Sequence, residues 1–361
     1  MKITKIVITG GPCAGKSTAM AWVQNAFTEK GYTVLFVPET ATELITGGVA
    51  PWTCGDNVSY QKCQMRLQLD KEAVFLQAAQ SMDAEKILIV CDRGALDNKA
   101  YMNEEEFAQV LRSVNMNQVV LRDGYDAVFH LVTAARGAAE FYTTDNNQAR
   151  LESVEEAISV DERLIAAWTG HPCLRIIDNA TDFEEKMKRL IAEISAFLGE
   201  PGPTQIQRRY LIGYPDIVWL ESAPNCHRLD IIQTFLNSAE GESRRVCQRG
   251  ESGNFMYYET IERSFSEGDR VGVERRLTQE EYLRLLMDAD GDRRPIRKTR
   301  YCLTEAGHYF EIDVFPFWDH QAILEAKLTE EVENLHIPER FRVIREVTGD
   351  AEYQNASLAR R

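Results

Sequence analysis

The chain reads as two units in series: an α/β unit built on a parallel sheet, followed by an antiparallel barrel or sandwich. Three observations predict this. Over residues 1–200 short apolar runs alternate with helical patterns, the grammar of a parallel sheet covered on both faces. Residues 198–205, Leu-Gly-Glu-Pro-Gly-Pro-Thr-Gln, gather chain breakers into a linker. Beyond it come many short alternating segments separated by turns, which suit antiparallel strands. The expected domains are therefore 1–200 and 201–361, in keeping with a length of 361 residues at roughly 150 per domain.

In chain order, the first unit's strands are expected at 3–9, 33–37, 87–91, 126–132 and 173–177. A helix over 15–30 follows the first of them. There Ala19, Trp22, Val23, Ala26 and Phe27 recur at helical spacing, and Gly31 suits the C-terminal cap. The second unit's strands are expected at 206–212, 228–236, 244–249, 255–262, 269–276, 296–303, 307–315 and 322–328. One helix interrupts them, opened by the capping box Thr278-Gln279-Glu280-Glu281.

Composition narrows the function. The hydrophobic fraction of 44% and charged fraction of 27% exclude collagen-like and largely disordered chains. A net charge of −15 argues against general nucleic-acid binding. No apolar run approaches the ~18 residues a membrane span needs. The start, MKITKIVITGGPCAGKS, lacks the apolar segment and cleavage site of a signal peptide, so a cytoplasmic location is expected. The eight cysteines (13, 54, 63, 91, 173, 226, 247, 302) form no CxxC pair, which points to reduced thiols rather than a structural zinc.

The strongest motif is Gly10-Gly11-Pro12-Cys13-Ala14-Gly15-Lys16-Ser17, followed by Thr18, which fits G-x-x-x-x-G-K-[ST] between a strand and a helix. Such a loop wraps phosphates with backbone N–H groups at the positive end of a helix. Lys16 would reach the β- and γ-phosphates, and Ser17 would offer its hydroxyl to Mg²⁺. The apolar strand 87–91 runs into Asp92 and Arg93; a carboxylate there can hold the Mg²⁺ shell or act as base, with the arginine as phosphate clamp. Glu39, after strand 33–37, faces the same crevice; it either binds a substrate hydroxyl, acts as base, or caps the next helix. Arg136 and Arg150 bracket a polar stretch and Arg163 follows, positions suited to a lid that compensates phosphate charge. The segment Asn98-Lys99-Ala100-Tyr101 breaks N-K-x-D, so ATP and GTP both stay open.

Basic residues partition sharply. Residues 1–200 hold 10 Lys and 9 Arg, while 201–361 hold 2 Lys and 20 Arg. Arginine grips phosphate bidentately, although the 28 acidic residues of the second half could also absorb it in surface pairs.

The first 200 residues resemble the P-loop kinase-like domain of nicotinamide riboside kinases. Over nearly the whole chain GGPCAGKST, VPETAT, CDRGALD, HLVTAARGAAEFYTT, AAWTGHP, IDNATDFEEK and REVTGD are similar to the TRP-translocation-defect family. That resemblance implies a P-loop NTPase domain joined to a CYTH-like antiparallel barrel of the triphosphate-tunnel type. It implies nucleotide binding in the first unit and a phosphorylated small molecule or lipid headgroup, such as a phosphoinositide, in the second. Peripheral membrane contact is compatible with such a ligand.

CYTH enzymes open with E-x-E-x-K, where this chain has Gln205-Ile206-Gln207-Arg208-Arg209; amides serve Mg²⁺ poorly, so binding with little turnover is expected. Basic positions are better kept. Arg245 and Arg249 share one face of strand 244–249, Lys298 and Arg300 one face of strand 296–303, and Arg276 joins Glu274 on strand 269–276. The first four are expected to line an inward cationic surface without matching carboxylates, and Arg209 and Arg276 stand as further anion-contact candidates. Glu311, Asp313 and Glu325 stand as late candidates for metal. Two function classes are left: a nucleotide-dependent switch or NTPase with Mg²⁺ and ATP or GTP, and a P-loop kinase acting on a small hydroxylated substrate.

Overall fold

The computed structural model describes residues 1–137, 153–200, 206–239, 241–266, 269–305, 307–328 and 335–360. It divides into two compact units, Met1–Thr204 and Gln205–Arg361.

The first unit runs β1 (Lys2–Gly10), α1 (Lys16–Glu29), β2 (Thr33–Val37), α2 (Thr40–Thr46), α3 (Asn57–Gln80), β3 (Lys86–Asp92), α4 (Glu104–Ser113), α5 (Gln118–Arg122), β4 (Ala127–Leu131), α6 (Val154–Trp168), β5 (Leu174–Ile177) and α7 (Phe183–Leu198). A 3₁₀ turn occupies Ala95–Tyr101. The five strands are parallel in the order β2-β3-β1-β4-β5. Ile6, Val7 and Ile8 are all fully buried, which is what a strand covered on both faces requires. Ala19, Val23 and Phe27, one turn apart on α1, pack onto one side of the sheet with Leu190 and Ile194 of α7. Each of the larger of these side chains withdrawn from water stabilises the fold by roughly 1.5–3 kcal/mol before entropy is counted. Helix ends are set by capping: Ser153 and Glu156 form a capping box on α6, Asp182 accepts the Glu185 N–H on α7, and Gly199 ends α7 in a left-handed turn. From β1 the chain crosses to one side of the sheet and from β3 to the other. The crevice at the carboxyl ends of these neighbours is therefore the switch point where ligands bind.

The second unit runs β6 (Ile206–Gly213), α8 (Ile217–Ser222), β7 (Cys226–Leu236), β8 (Glu242–Glu251), β9 (Asn254–Ser266), β10 (Asp269–Leu277), α9 (Gln279–Leu285), β11 (Ile296–Glu305), β12 (His308–Val314), β13 (Gln321–Leu328), β14 (Val343–Glu346) and α10 (Asn355–Leu358). All pairings are antiparallel, in the order β10-β9-β8-β7-β11-β12-β13-β6-β14. The expected strands are present, and the Thr278–Glu281 capping box opens α9. Additional to the expectation are α8, α10 and β14, whose four residues are all exposed and so show no apolar period.

The sheet's two faces differ. One carries Tyr210, Ile212, Tyr301, Leu303, Phe310, Ile312, Leu324 and Ala326, packed with Leu220 of α8 and with Phe341. The alternate residues of the same strands are charged, yet Arg249, Lys298, Glu311 and Asp313 are buried as well. A charged face is buried without a covering layer only if the sheet curls over it. In accord with this, Arg249 on β8 is among the charges felt by Glu311 on β12, although β7 and β11 lie between them in the ladder. This is the barrel-type architecture expected from the sequence. One end of the face is stopped by Phe235, Ile296, Phe315, Trp318 and Ile323, packed on Leu358 and Ala359. No helix among the described residues is long and apolar enough to cross a membrane.

Candidate nucleotide site and charged sheet face

The loop after β1 passes through two left-handed residues, Cys13 (φ 55°) and Gly15 (φ 92°), before α1 begins at Lys16. A Cβ on Gly15 would lie 2.6 Å from the Phe183 ring, and one on Gly11 would lie 2.7 Å from the Asp161 carboxylate. Both positions therefore demand glycine. The loop is braced from behind. Asp161 Oδ1 accepts the Gly11 N–H at 2.8 Å and the Thr133 N–H at 3.3 Å, and lies 3.0 Å from His130 Nε2. Thr133 Oγ1 donates to the Pro12 carbonyl at 2.5 Å. None of Asp161, His130 and Thr133 is exposed. Burial alone would raise the Asp161 carboxyl; His130 and the two backbone donors outweigh it and hold it below the usual range.

Lys16 is half-buried and folds back on its own loop, donating to the carbonyls of Gly10 at 2.9 Å and Gly11 at 3.0 Å. Burial, then the neighbouring Arg93, lowers its ammonium to about 8. Ser17 and Thr18 are exposed at the start of α1. Across the crevice, register places Asp92 on β3 beside Ile8 on β1. Asp92 Oδ1 is buried and has no hydrogen-bond partner, and burial raises its carboxyl above the ordinary range. An orphaned carboxylate oxygen facing Lys16 is what a metal or its bound water would satisfy. Ser17 and Asp92 thus fit Mg²⁺, with phosphate oxygens and water completing the shell. Among the described residues no group of three or more His, Cys, Asp or Glu side chains could hold a metal unaided.

Arg93 has a left-handed backbone (φ 68°), a conformation rare for a residue with a side chain and typical of functional sites. Its Nε donates to Glu39 Oε1 at 2.5 Å, and its Nη1 lies 3.7 Å from Asp97. Glu39 stands at the N-cap of α2 without capping it through its side chain; it accepts instead from Arg93 and from Thr42 at 2.6 Å. Burial opposes its charge, but Arg93, Thr42 and Lys16 pull it down to about 2. Asp97 accepts from Thr9 at 2.7 Å and from Trp168 Nε1 at 2.5 Å, which fixes the turn behind Arg93. Tyr60 Oη on α3 is buried without a partner, and burial followed by Glu39 raises its phenol to about 12.

Lys16, Glu39, Asp92 and Arg93 are thus brought together around one loop. Arg136 is ion-paired to Glu162. Arg163 donates to the Ala100 carbonyl at 2.8 Å and Ser159 at 3.0 Å. Arg150 lies outside the described residues. Sequence reading missed Asp161, His130, Lys186, Asp97 and Tyr60.

In the second unit, register puts Arg209, Arg245, Arg249, Arg276, Lys298 and Arg300 on one face of the sheet. The expectation that Arg245, Arg249, Lys298 and Arg300 lack matching carboxylates is overturned for Arg245, Lys298 and Arg300. Asp313 receives Lys298 at 2.6 Å and Arg300 Nε at 2.7 Å; Glu311 receives Lys327 at 2.7 Å and also pairs with Arg300. Glu325 lies 3.5 Å from Arg209, and Glu262 lies 2.6 Å from Arg245. Burial would raise both central carboxyls, but Arg300 with its lysine neighbours takes Glu311 down to about 2 and Asp313 lower still. Thr260 bonds Glu274 at 3.1 Å beside Arg276. The reason for the mismatch is register: like-facing positions on β12 and β13 carry the acids that β11 and β6 require.

A family model described as an AAA domain matches residues 5–186. Among solved structures, the chain is similar to "the hypothetical protein NE1496" (24% identity over 44% of this chain and 99% of that one, TM-score 0.33). It is likewise similar to "the inorganic triphosphatase NE1496" (26% identity over 44% of this chain and 96% of that one, TM-score 0.32). No curated protein matches the chain.

Proposed function

The chain belongs to the AAA-domain family, and from that membership we propose that its first unit binds a nucleoside triphosphate, ATP or GTP, with Mg²⁺ and acts as a nucleotide-dependent switch or NTPase. The observation that carries this reading is the pairing of opposites at one crevice: a glycine-bounded loop with Lys16 on one side, and the partnerless buried oxygen of Asp92 on the other. In this reading the triphosphate displaces the loop carbonyls from Lys16, Gly10–Thr18 cradle it, and Ser17 and Asp92 hold Mg²⁺. Mg²⁺ held there would supply positive charge to offset that of the phosphates. Arg93, clamped by Glu39, is the nearby cation for the transferring group.

The second unit, in the same proposal, takes a phosphorylated small molecule or lipid headgroup on its charged face. Lys298, Arg300 and Lys327 are already paired with carboxylates, so the ligand must exchange places with Asp313 and Glu311 to reach them. The wider likeness to the TRP-translocation-defect family, and the roles of Arg136, Arg150, Arg209, Arg245, Arg249, Arg276, Lys298 and Arg300 in anion contact, belong to this proposal. A second reading, phosphoryl transfer to a small hydroxylated acceptor, is favoured by the Glu39–Arg93 pair and the unpartnered Tyr60 hydroxyl beside it.

The test is calorimetric titration of the full chain with MgATP and MgGTP. Asp92→Asn should abolish the Mg²⁺ dependence of binding and any hydrolysis, since the amide lacks the charge the metal requires. Hydrolysis at the wild-type rate in that variant would move the metal site elsewhere.

A further inference from the structure

Lys186 on α7 is 2% exposed, and its ammonium ends beneath the phosphate loop. It donates to the Val132 carbonyl at 2.7 Å, to Asn179 Oδ1 at 2.6 Å and, more loosely, to the Ala14 carbonyl at 3.4 Å. All three acceptors are neutral, and among the described residues no carboxylate oxygen lies within ion-pairing distance of Nζ. A buried ammonium without a contacting anion carries a large desolvation penalty. Lys298, the other buried lysine of comparable depth, has Asp313 at 2.6 Å. Something else must compensate Lys186.

We infer that Lys186 is a second cation of the phosphate site, a positioning residue that acts through the Ala14–Gly15 peptide. This rests on the nucleotide reading above. The peptide is trans, so the Ala14 carbonyl and the Gly15 N–H point in opposite directions. A cation on the carbonyl polarises the whole unit and strengthens the N–H as a donor toward whatever the loop holds. Asn179 fixes the geometry: its Oδ1 accepts from Lys186 while its Nδ2 donates to the carbonyls of Thr133 at 2.8 Å and Arg136 at 2.7 Å. Burial takes the Lys186 ammonium down to about 8, with Asp161 opposing. A polyphosphate on the far side of the loop supplies the missing negative charge without touching the lysine.

Full-length protein carrying Lys186→Met, Lys186→Gln or Lys186→Arg is titrated with MgATP and MgGTP and melted without nucleotide. Met and Gln should weaken binding of the nucleotide that wild type takes by about tenfold, and Arg by no more than about threefold. The melting temperature of the Met variant should hold or rise, because a desolvated charge is gone. Gln keeps a donor for Val132 and removes only the charge, so it carries the test if Met does not fold. Unchanged affinity in a folded neutral variant overturns the inference. So does a lowered melting temperature with affinity retained, or failure of both neutral variants to fold, since each assigns Lys186 a purely structural part. A wild-type chain that binds neither nucleotide overturns the nucleotide reading and this inference together, whereas binding lost in Lys16→Ala but kept in Lys186→Gln overturns the inference alone.

Discussion

The two units handle buried charge in opposite ways. Around the phosphate loop, Lys16 and Lys186 rest on neutral carbonyls while the Asp92 carboxylate is left without a hydrogen-bond partner on one oxygen. On the second unit's sheet, Lys298, Arg300 and Lys327 are already saturated by Asp313 and Glu311. The first arrangement leaves cation and anion sites open to a ligand that brings both phosphate and metal. The second pairs these three cations with the protein's own acids. Counting arginines in a sequence does not separate these cases; only the location of the compensating charge does.

The comparison is broken most forcefully by removing one acid. Asp313→Ala strands the buried Lys298 and leaves Arg300 with Glu311 alone, so the second unit should lose roughly 3–5 kcal/mol in urea denaturation. A loss below about 1 kcal/mol would mean that solvent, not Asp313, compensates them. Tripolyphosphate added to that variant should recover part of the loss if the face accepts anions.

Lys16→Ala comes next. Its partner in the functional state is the ligand, so nucleotide affinity should fall by about 1.5–3 kcal/mol while stability is retained. Unaltered calorimetric binding would remove the loop from the nucleotide site.

pH sharpens the contrast further. Lys16 gives up its proton near 8 in the folded protein instead of near 10.5, so nucleotide affinity should be flat below neutrality and decline as pH rises through 8. Binding measured from pH 6.5 to 9.5 checks this; a flat profile excludes Lys16 as the phosphate cation. The second unit has the opposite sensitivity. Glu311 is held near 2 in the fold against 4.5 for the ordinary group, so its contribution is complete above about 4.5 and is lost as pH falls toward 2. Acid unfolding followed by tryptophan fluorescence tests that window.

The smallest effect belongs to Arg245→Ala. Its pair with Glu262 is about a quarter exposed on both sides, and the loss should stay within about 1 kcal/mol. A larger loss would extend the saturated network to the sheet's outer strands.

Much of this was legible beforehand. The first unit's strands are continuous apolar runs because both faces are covered, and each expected strand lies within a few residues of its place. The phosphate loop is local in sequence and so was visible. Its braces were not: Asp161 meets Gly11 across 150 positions and Lys186 meets Ala14 across 172, with no spacing rule to join them. β14 escaped because its residues bury nothing. The acids opposite Arg300 were within reach. Glu305 pairs with His308, and that register alone sets Asp313 against Arg300 and Glu311 against Cys302.

The short helix α10 fixes one end of the second unit's charged face. Ala359 accepts the Arg294 N–H at 2.8 Å and Asn355 donates to Gln233 at 3.2 Å, so the apolar stop at that end of the charged face is held to β7 and to the segment that leads into β11. That end of the charged face is therefore corked: Phe235, Ile296, Phe315, Trp318 and Ile323 pack against a short helix whose own backbone and side-chain hydrogen bonds hold it in place.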